Sequence, residues 1–113
     1  MFINAQQERI FRGDTKVLHH AIFSGDNFNK TLYELIEGDE LYFAILEPNQ
    51  AWENAIVKKK LEVIPETSDF KITLSPTDTM YLMPGPYYYQ VKLRRATGEV
   101  VTLNPRTYLW IQE

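Results

Sequence analysis

Apolar and polar positions alternate along this chain in short runs broken by turn residues. From Glu40 to Leu46 (ELYFAIL), Leu41, Phe43 and Ile45 alternate with Glu40, Tyr42 and Ala44, and the run stops at Glu47-Pro48-Asn49. Successive side chains on a strand point to opposite faces, so this spacing predicts a β-strand with one apolar face. Phe70 to Leu74 repeats the pattern with Phe70, Ile72 and Leu74, and stops before Pro76. Tyr87 to Arg94 divides into Tyr87, Tyr89, Val91 and Leu93 on one side and Tyr88, Gln90, Lys92 and Arg94 on the other. The first set predicts a core face, the second a solvated one. Further strands are expected over Thr15 to Phe23, Phe28 to Ile36, Ala55 to Ile64, Val100 to Leu103 and Thr107 to Ile111. Between them lie Ser24-Gly25-Asp26-Asn27, Glu37-Gly38-Asp39, Pro65 and Ala96-Thr97-Gly98, all built of residues that favour turns. Helix competes only in TLYELI (Thr31 to Ile36) and QAWENAI (Gln50 to Ile56), each too short to stand without tertiary packing. Short strands with turns every ~8–12 residues predict a single all-β domain, a sandwich or a barrel.

The corner at Pro84-Gly85-Pro86 sharpens that expectation. The prolines fix two backbone angles, and Gly85 can take one that other residues resist. Tyr87 follows two residues later, where sandwich domains place a tyrosine corner: ring inward, hydroxyl bonded to backbone a few residues upstream. Tyr87 and Gly85 are therefore expected to be structural and Tyr89 to be core. Tyr88 is left as an exposed aromatic on the solvated face.

Composition narrows the function. With 113 residues, 44% hydrophobic and 24% charged, the chain has the balance of one folded domain rather than a disordered segment. The net charge of −3, and no basic run longer than Lys58-Lys59-Lys60, argue against a nucleic-acid partner. There are no cysteines, which excludes a disulfide framework and thiolate metal sites. The N-terminus MFINAQQERIFRGD has no signal-peptide pattern, and no run approaches the ~18 apolar residues of a membrane span. Synthesis in the cytosol without export or membrane insertion is the expectation.

Candidate chemistry is sparse. Arg12-Gly13-Asp14 spells an integrin-binding tripeptide but reads better as a strand entry, with Asp14 capping a turn through its side chain. His19 and His20 are adjacent, so on a strand they face opposite ways and cannot chelate one ion together. No nucleophile elbow, phosphate-cradling glycine loop or EF-hand spacing is present. Neither an enzymatic site, a metal nor a cofactor is expected. Trp52, in the polar connection EPNQAWENA, is expected to fold back and cap one end of the core, or else to meet a sugar or protein partner. Trp110 alternates with Tyr108 on the last strand. Trp52, Tyr88, Tyr108 and Trp110 form the candidate interaction set.

Taken in order, Arg12-Gly13-Asp14-Thr15, Gly38-Asp39, Ile72-Thr73-Leu74-Ser75-Pro76, Asp78-Thr79, Leu82-Met83-Pro84-Gly85, Tyr87-Tyr88-Tyr89, Val91-Lys92-Leu93 and Gly98-Glu99-Val100-Val101-Thr102 resemble the small Ig-like domains of bacteriophage and prophage structural proteins. The N-terminal domains of baseplate upper proteins are an example, and the resemblance covers roughly Phe11 to Ile111. It implies an Ig-like antiparallel β-sandwich of about seven to nine short strands. The implied function is a non-enzymatic structural or adaptor component of a phage particle, in the tail or baseplate and therefore in the virion. Its partners would be other phage structural proteins or further copies in a homo-oligomer. The chain stops two residues after Ile111, so a receptor-binding role is not carried over. The alternative is a carbohydrate- or protein-binding module that uses Trp52, Tyr88 and neighbouring loops.

Overall fold

The structure, a computed structural model, describes residues 1–26 and 28–113. Asn27, which closes the first expected turn, lies outside the described residues. The alternating runs become strands. In the first half are β1 (Phe2–Ile3), β2 (Glu8–Phe11), β3 (Lys16–Gly25), β4 (Lys30–Leu32) and β5 (Glu40–Leu46). In the second half are β6 (Val57–Leu61), β7 (Asp69–Leu74), β8 (Gly85–Arg94), β9 (Val100–Thr102) and β10 (Thr107–Gln112). Helical structure among the described residues is limited to a 3-10 turn, Trp52–Asn54, and a single-turn helix α1, Pro76–Thr79.

The strands form two sheets. In the smaller, β3 pairs antiparallel with β1, β4 and β7. The larger runs β2-β10-β8-β5-β6, with β9 also pairing β8. Inner faces from both sheets share one core, in which Ile22, Ile72 and Leu74 meet Phe43, Tyr89 and Leu109, all without exposed surface. Removing each such large apolar side chain from water contributes about 1.5–3 kcal/mol. The chain is an all-β sandwich, as its patterning predicts. Ten strands are described rather than about seven to nine, because the N-terminal segment supplies the short β1 and β2. One pairing is parallel: β2 runs alongside β10, with Ile10 opposite Ile111.

Registers follow the alternation. On β8, Tyr87, Tyr89, Val91 and Leu93 are buried, Tyr88, Gln90 and Lys92 are half-buried, and Arg94 is exposed. The corner forms as expected: Gly85 sits at φ +148°, and the Tyr87 hydroxyl donates to the Met83 carbonyl at 2.6 Å. Tyr87→Phe is therefore expected to cost about 1 kcal/mol, because the Met83 carbonyl loses its donor. Tyr88→Phe should stay within ~0.5 kcal/mol. Urea melts of both variants check this, and the reverse order of losses would mean the strand register is off by one residue.

Elsewhere tertiary bonds decide the local structure. TLYELI is not a helix: the Leu35 N–H donates to the Thr67 carbonyl at 2.8 Å, and the Leu35 carbonyl accepts the Glu66 N–H at 2.8 Å. These bonds seat Leu35 in the core with no exposed surface. Helix α1 starts with Pro76, whose missing N–H costs nothing in a first turn, and the Asp78 carboxylate accepts the Ser75 N–H at 2.7 Å.

Two residues mend gaps in the sheets. Strand β8 exchanges its partner along its length, from β10 at Tyr89 to β9 at Lys92. In between, the Asn104 side chain acts as a strand: its Oδ1 accepts the Val91 N–H at 2.7 Å, and its Nδ2 donates to the Tyr89 carbonyl at 3.2 Å. Strands β6 and β7 each pair on one side only among the described residues, leaving open edges close together. Lys59, on the inner side of β6, bridges them. Its Nζ lies 2.6 Å from Asp78 Oδ2 and donates to the Thr73 carbonyl of β7 at 3.0 Å.

Candidate functional site

Strand parity assembles the site. On the outer face of the larger sheet, Tyr88 stands opposite Tyr108, and Trp110 is beside Arg9 of β2. Tyr88 and Tyr108 meet edge to face with centroids 6.1 Å apart, while Tyr108 stacks on Trp110 at 6.1 Å. All three rings are half-buried. Such contacts fix the rings in place and leave part of each in water.

Trp52 reaches the same face by another route. Ala44 and Leu46 point outward from β5, yet neither has exposed surface. The connection after β5 folds back over that side of the sheet. Gln50 shapes this segment by accepting the Glu47 N–H through Oε1 at 3.0 Å, and Arg106 donates to the Gln50 carbonyl. Trp52 then lies with Lys92 Nζ at 4.7 Å and Lys58 Nζ at 5.6 Å from its ring centroid. The expected fold-back occurs, but Trp52 covers the outside of the larger sheet instead of capping an end of the core. Outward-facing Ala44 and Leu46 supply the apolar surface that draws it there.

Of the candidate interaction set, Tyr88, Tyr108 and Trp110 are thus in one contiguous row and Trp52 is on the same face. Beside Tyr88 is an open hollow of about 310 Å³, lined by Pro48, Asn49, Tyr88 and Arg106. The charged residues on this face escape a reading of the linear sequence, because they come from four separate strands. Outward positions of the larger sheet carry Arg9, Lys58, Lys60, Lys92 and Arg94 against a single carboxylate, Glu40. Glu40 bonds Lys60 at 2.8 Å and the Tyr42 hydroxyl at 2.7 Å. The Lys60 ammonium, then the Tyr42 hydroxyl, hold the Glu40 carboxyl below its ordinary pKa. Arg9, Lys58 and Lys92 enter no ion pair among the described residues.

The remaining sequence candidates separate. His19 is exposed and His20 half-buried, on opposite faces of β3. The His20 Nε2 is buried without a hydrogen-bond partner, and burial, followed by the neighbouring His19, lowers its pKa. No group of three or more His, Asp or Glu side chains is placed to hold a metal among the described residues. In Arg12-Gly13-Asp14, the Arg12 guanidinium pairs with Glu113, and the Gly13 N–H donates to Thr79 Oγ1 at 2.9 Å. The turn there is closed by the Asp14 backbone N–H on the Phe11 carbonyl at 3.0 Å, not by the expected side-chain cap. The tripeptide is built into the sandwich as a strand entry. No protein-family model matches the chain, and a search of curated proteins finds no match.

Proposed function

We propose that the chain is a non-enzymatic structural or adaptor component of a phage or prophage particle, in the tail or baseplate, that binds its neighbours through the aromatic face of the larger sheet. One observation carries the reading: Tyr88, Tyr108 and Trp110, drawn from two strands, converge with Trp52 on one solvated sheet face. Aromatic residues concentrate at the centres of protein interfaces, and a few of them dominate the binding energy. The sheet composition, with β3 and β7 in one layer and β5, β8 and β10 in the other, together with the tyrosine corner on β8, matches the immunoglobulin-like plan of the resemblance. That resemblance supplies the setting, a particle with many repeated contacts. The test is light scattering on the purified chain and capture of proteins encoded beside it. Trp110→Ala should weaken whichever association is found by roughly 30-fold, the equivalent of ~2 kcal/mol. A strict monomer at high concentration that captures none of those proteins would remove the reading.

A carbohydrate-binding module is the second reading, favoured by the hollow in which Asn49 and Arg106 sit beside the Tyr88 ring. Saturable binding of a glycan by the isolated chain, abolished by Tyr88→Ala, would put it first.

A further inference from the structure

The hollow beside Tyr88 is shaped from two sides. On one side Pro48 and Asn49 are the middle of a turn closed by the Gln50 N–H on the Glu47 carbonyl at 3.0 Å. The Gln50 Oε1 accepts the Glu47 N–H in return at 3.0 Å, and Asn49 takes φ +66°, a left-handed angle that asparagine tolerates. On the other side is Arg106, between Pro105 and Thr107. The Thr107 hydroxyl donates to the Pro105 carbonyl at 2.8 Å and accepts from Asn104 Nδ2 at 2.9 Å. Arg106 reaches across to the Gln50 carbonyl and ties the two sides together. Tyr88 forms a further wall, its ring fixed edge to face against Tyr108. None of these bonds needs a ligand, so the hollow is organised in advance of binding.

Its polar groups are unspent. Among the described residues the Asn49 carboxamide and the Tyr88 hydroxyl form no hydrogen bond, and the Arg106 guanidinium, with its five N–H donors, forms one. No carboxylate lines the hollow. Glu47 and Glu53, the acidic residues of the same connection, and Arg106 itself enter no ion pair among the described residues.

We infer that the hollow binds a sugar bearing an acidic group, carboxylate or phosphate, with the acid on the Arg106 guanidinium and the sugar ring against Tyr88. The inference rests on the carbohydrate reading and adds the charge of the ligand. An arginine fork matches two oxygens of a carboxylate or phosphate, which a lone hydroxyl cannot offer. The Tyr88 ring and Pro48 supply apolar surface for the C–H face of a sugar, while the Asn49 carboxamide and the Tyr88 hydroxyl are free to bond its hydroxyl groups. The volume, about 310 Å³, is at the lower end of ligand pockets, roughly 300–1,000 Å³, and suits one sugar unit rather than a chain.

Amide chemical-shift titration of the full chain tests this at matched ionic strength. The probes are glucuronic acid, galacturonic acid, glucose 6-phosphate, the neutral parents glucose and galactose, and acetate. The acidic sugars should bind at least ~10-fold more tightly than their neutral parents and shift the signals of Asn49, Tyr88 and Arg106. Whichever of the uronic acids and the phosphate binds more tightly identifies the acid. Arg106→Gln should bring the acidic sugars down to the affinity that the wild-type chain has for the neutral ones. Arg106→Lys, which keeps the charge but not the fork, should restore only part of the difference. The comparison of acidic with neutral sugars on the wild-type chain depends on no variant folding. Neutral sugars that bind as tightly as acidic ones would overturn the inference and leave the carbohydrate reading standing. Acetate that binds as tightly as a uronic acid would overturn it too, because the sugar ring would then contribute nothing. No shift with any probe would overturn both the inference and the carbohydrate reading, and leave the structural role untouched.

Discussion

Asn104→Ala is expected to lower the stability of the domain by about 2–4 kcal/mol. Asn104 is 3% exposed and yet polar, which is unfavourable unless each of its atoms is bonded. Oδ1 accepts the Val91 N–H at 2.7 Å, while Nδ2 donates to the Tyr89 carbonyl at 3.2 Å and to Thr107 Oγ1 at 2.9 Å. Alanine removes these bonds, leaves the buried Val91 N–H in the middle of β8 without a partner at about 1–3 kcal/mol, and takes one donor from the Tyr89 carbonyl. Asn104→Leu should be no better, because it restores volume without restoring any bond. Urea unfolding gives the difference, and an unchanged slope would confirm that only stability has moved. A loss under ~1 kcal/mol would mean that water enters and replaces the amide.

Asp78→Ala is expected to cost about 2–3 kcal/mol near neutral pH, and less in acid. The carboxylate accepts the Ser75 N–H at 2.7 Å and the Ser75 hydroxyl at 3.1 Å, and pairs with Lys59 at 2.6 Å. Removal frees the start of α1 and strips a half-buried ammonium of its counter-charge. Partial burial pushes the Asp78 carboxyl upward, but Lys59 and the two Ser75 bonds outweigh it, and the pKa lies below the ordinary 3.8. A carboxyl whose folded pKa is depressed contributes stability that is full above its unfolded pKa and vanishes as pH falls through the folded one. The gap between wild type and Asp78→Ala should therefore be constant from neutral pH down to about 5 and shrink below the unfolded value. Chemical melts at several pH values check this, and a gap that widens in acid would contradict the ion pair.

Legibility in the sequence tracked the range of the forces involved. Where one face is buried, as in β5, β7 and β8, strict alternation discloses both the strand and its inward side. The tyrosine corner was equally plain, because Gly85, Tyr87 and Met83 lie within five residues of one another. The N-terminal β1 and β2 were not, since ERIF has too little alternation and finds its partner, β10, about a hundred residues later. TLYELI carries a helical spacing that two bonds to Glu66 and Thr67 override. Helix α1 did leave a signal, a serine three residues ahead of an aspartate with proline between them, the start of a capping box. Trp52, Tyr88, Tyr108 and Trp110 were legible as candidates, but their convergence was not. Nor were Arg9, Lys58 and Lys92, whose shared face exists only once three strands have taken their register. Asn104 left no local trace, because its bonds to β8 span thirteen to fifteen residues.

Lys59 ties together matters that are usually independent. Its ammonium sits on the Thr73 carbonyl at the open edge of β7, and its other partner, Asp78, holds the start of α1. A bare strand edge is a template on which a second molecule can lay its own backbone, and lysine is a common guard against that. Here the guard is kept at its post by a carboxylate that acid neutralises. Protonation loosens the start of α1 and takes from the lysine one of its two partners in the same event, so the strand is less well covered just as the fold around it weakens. Resistance to fibre growth and resistance to acid thus depend on one proton, and the open edge is best guarded against strand addition where that proton is absent.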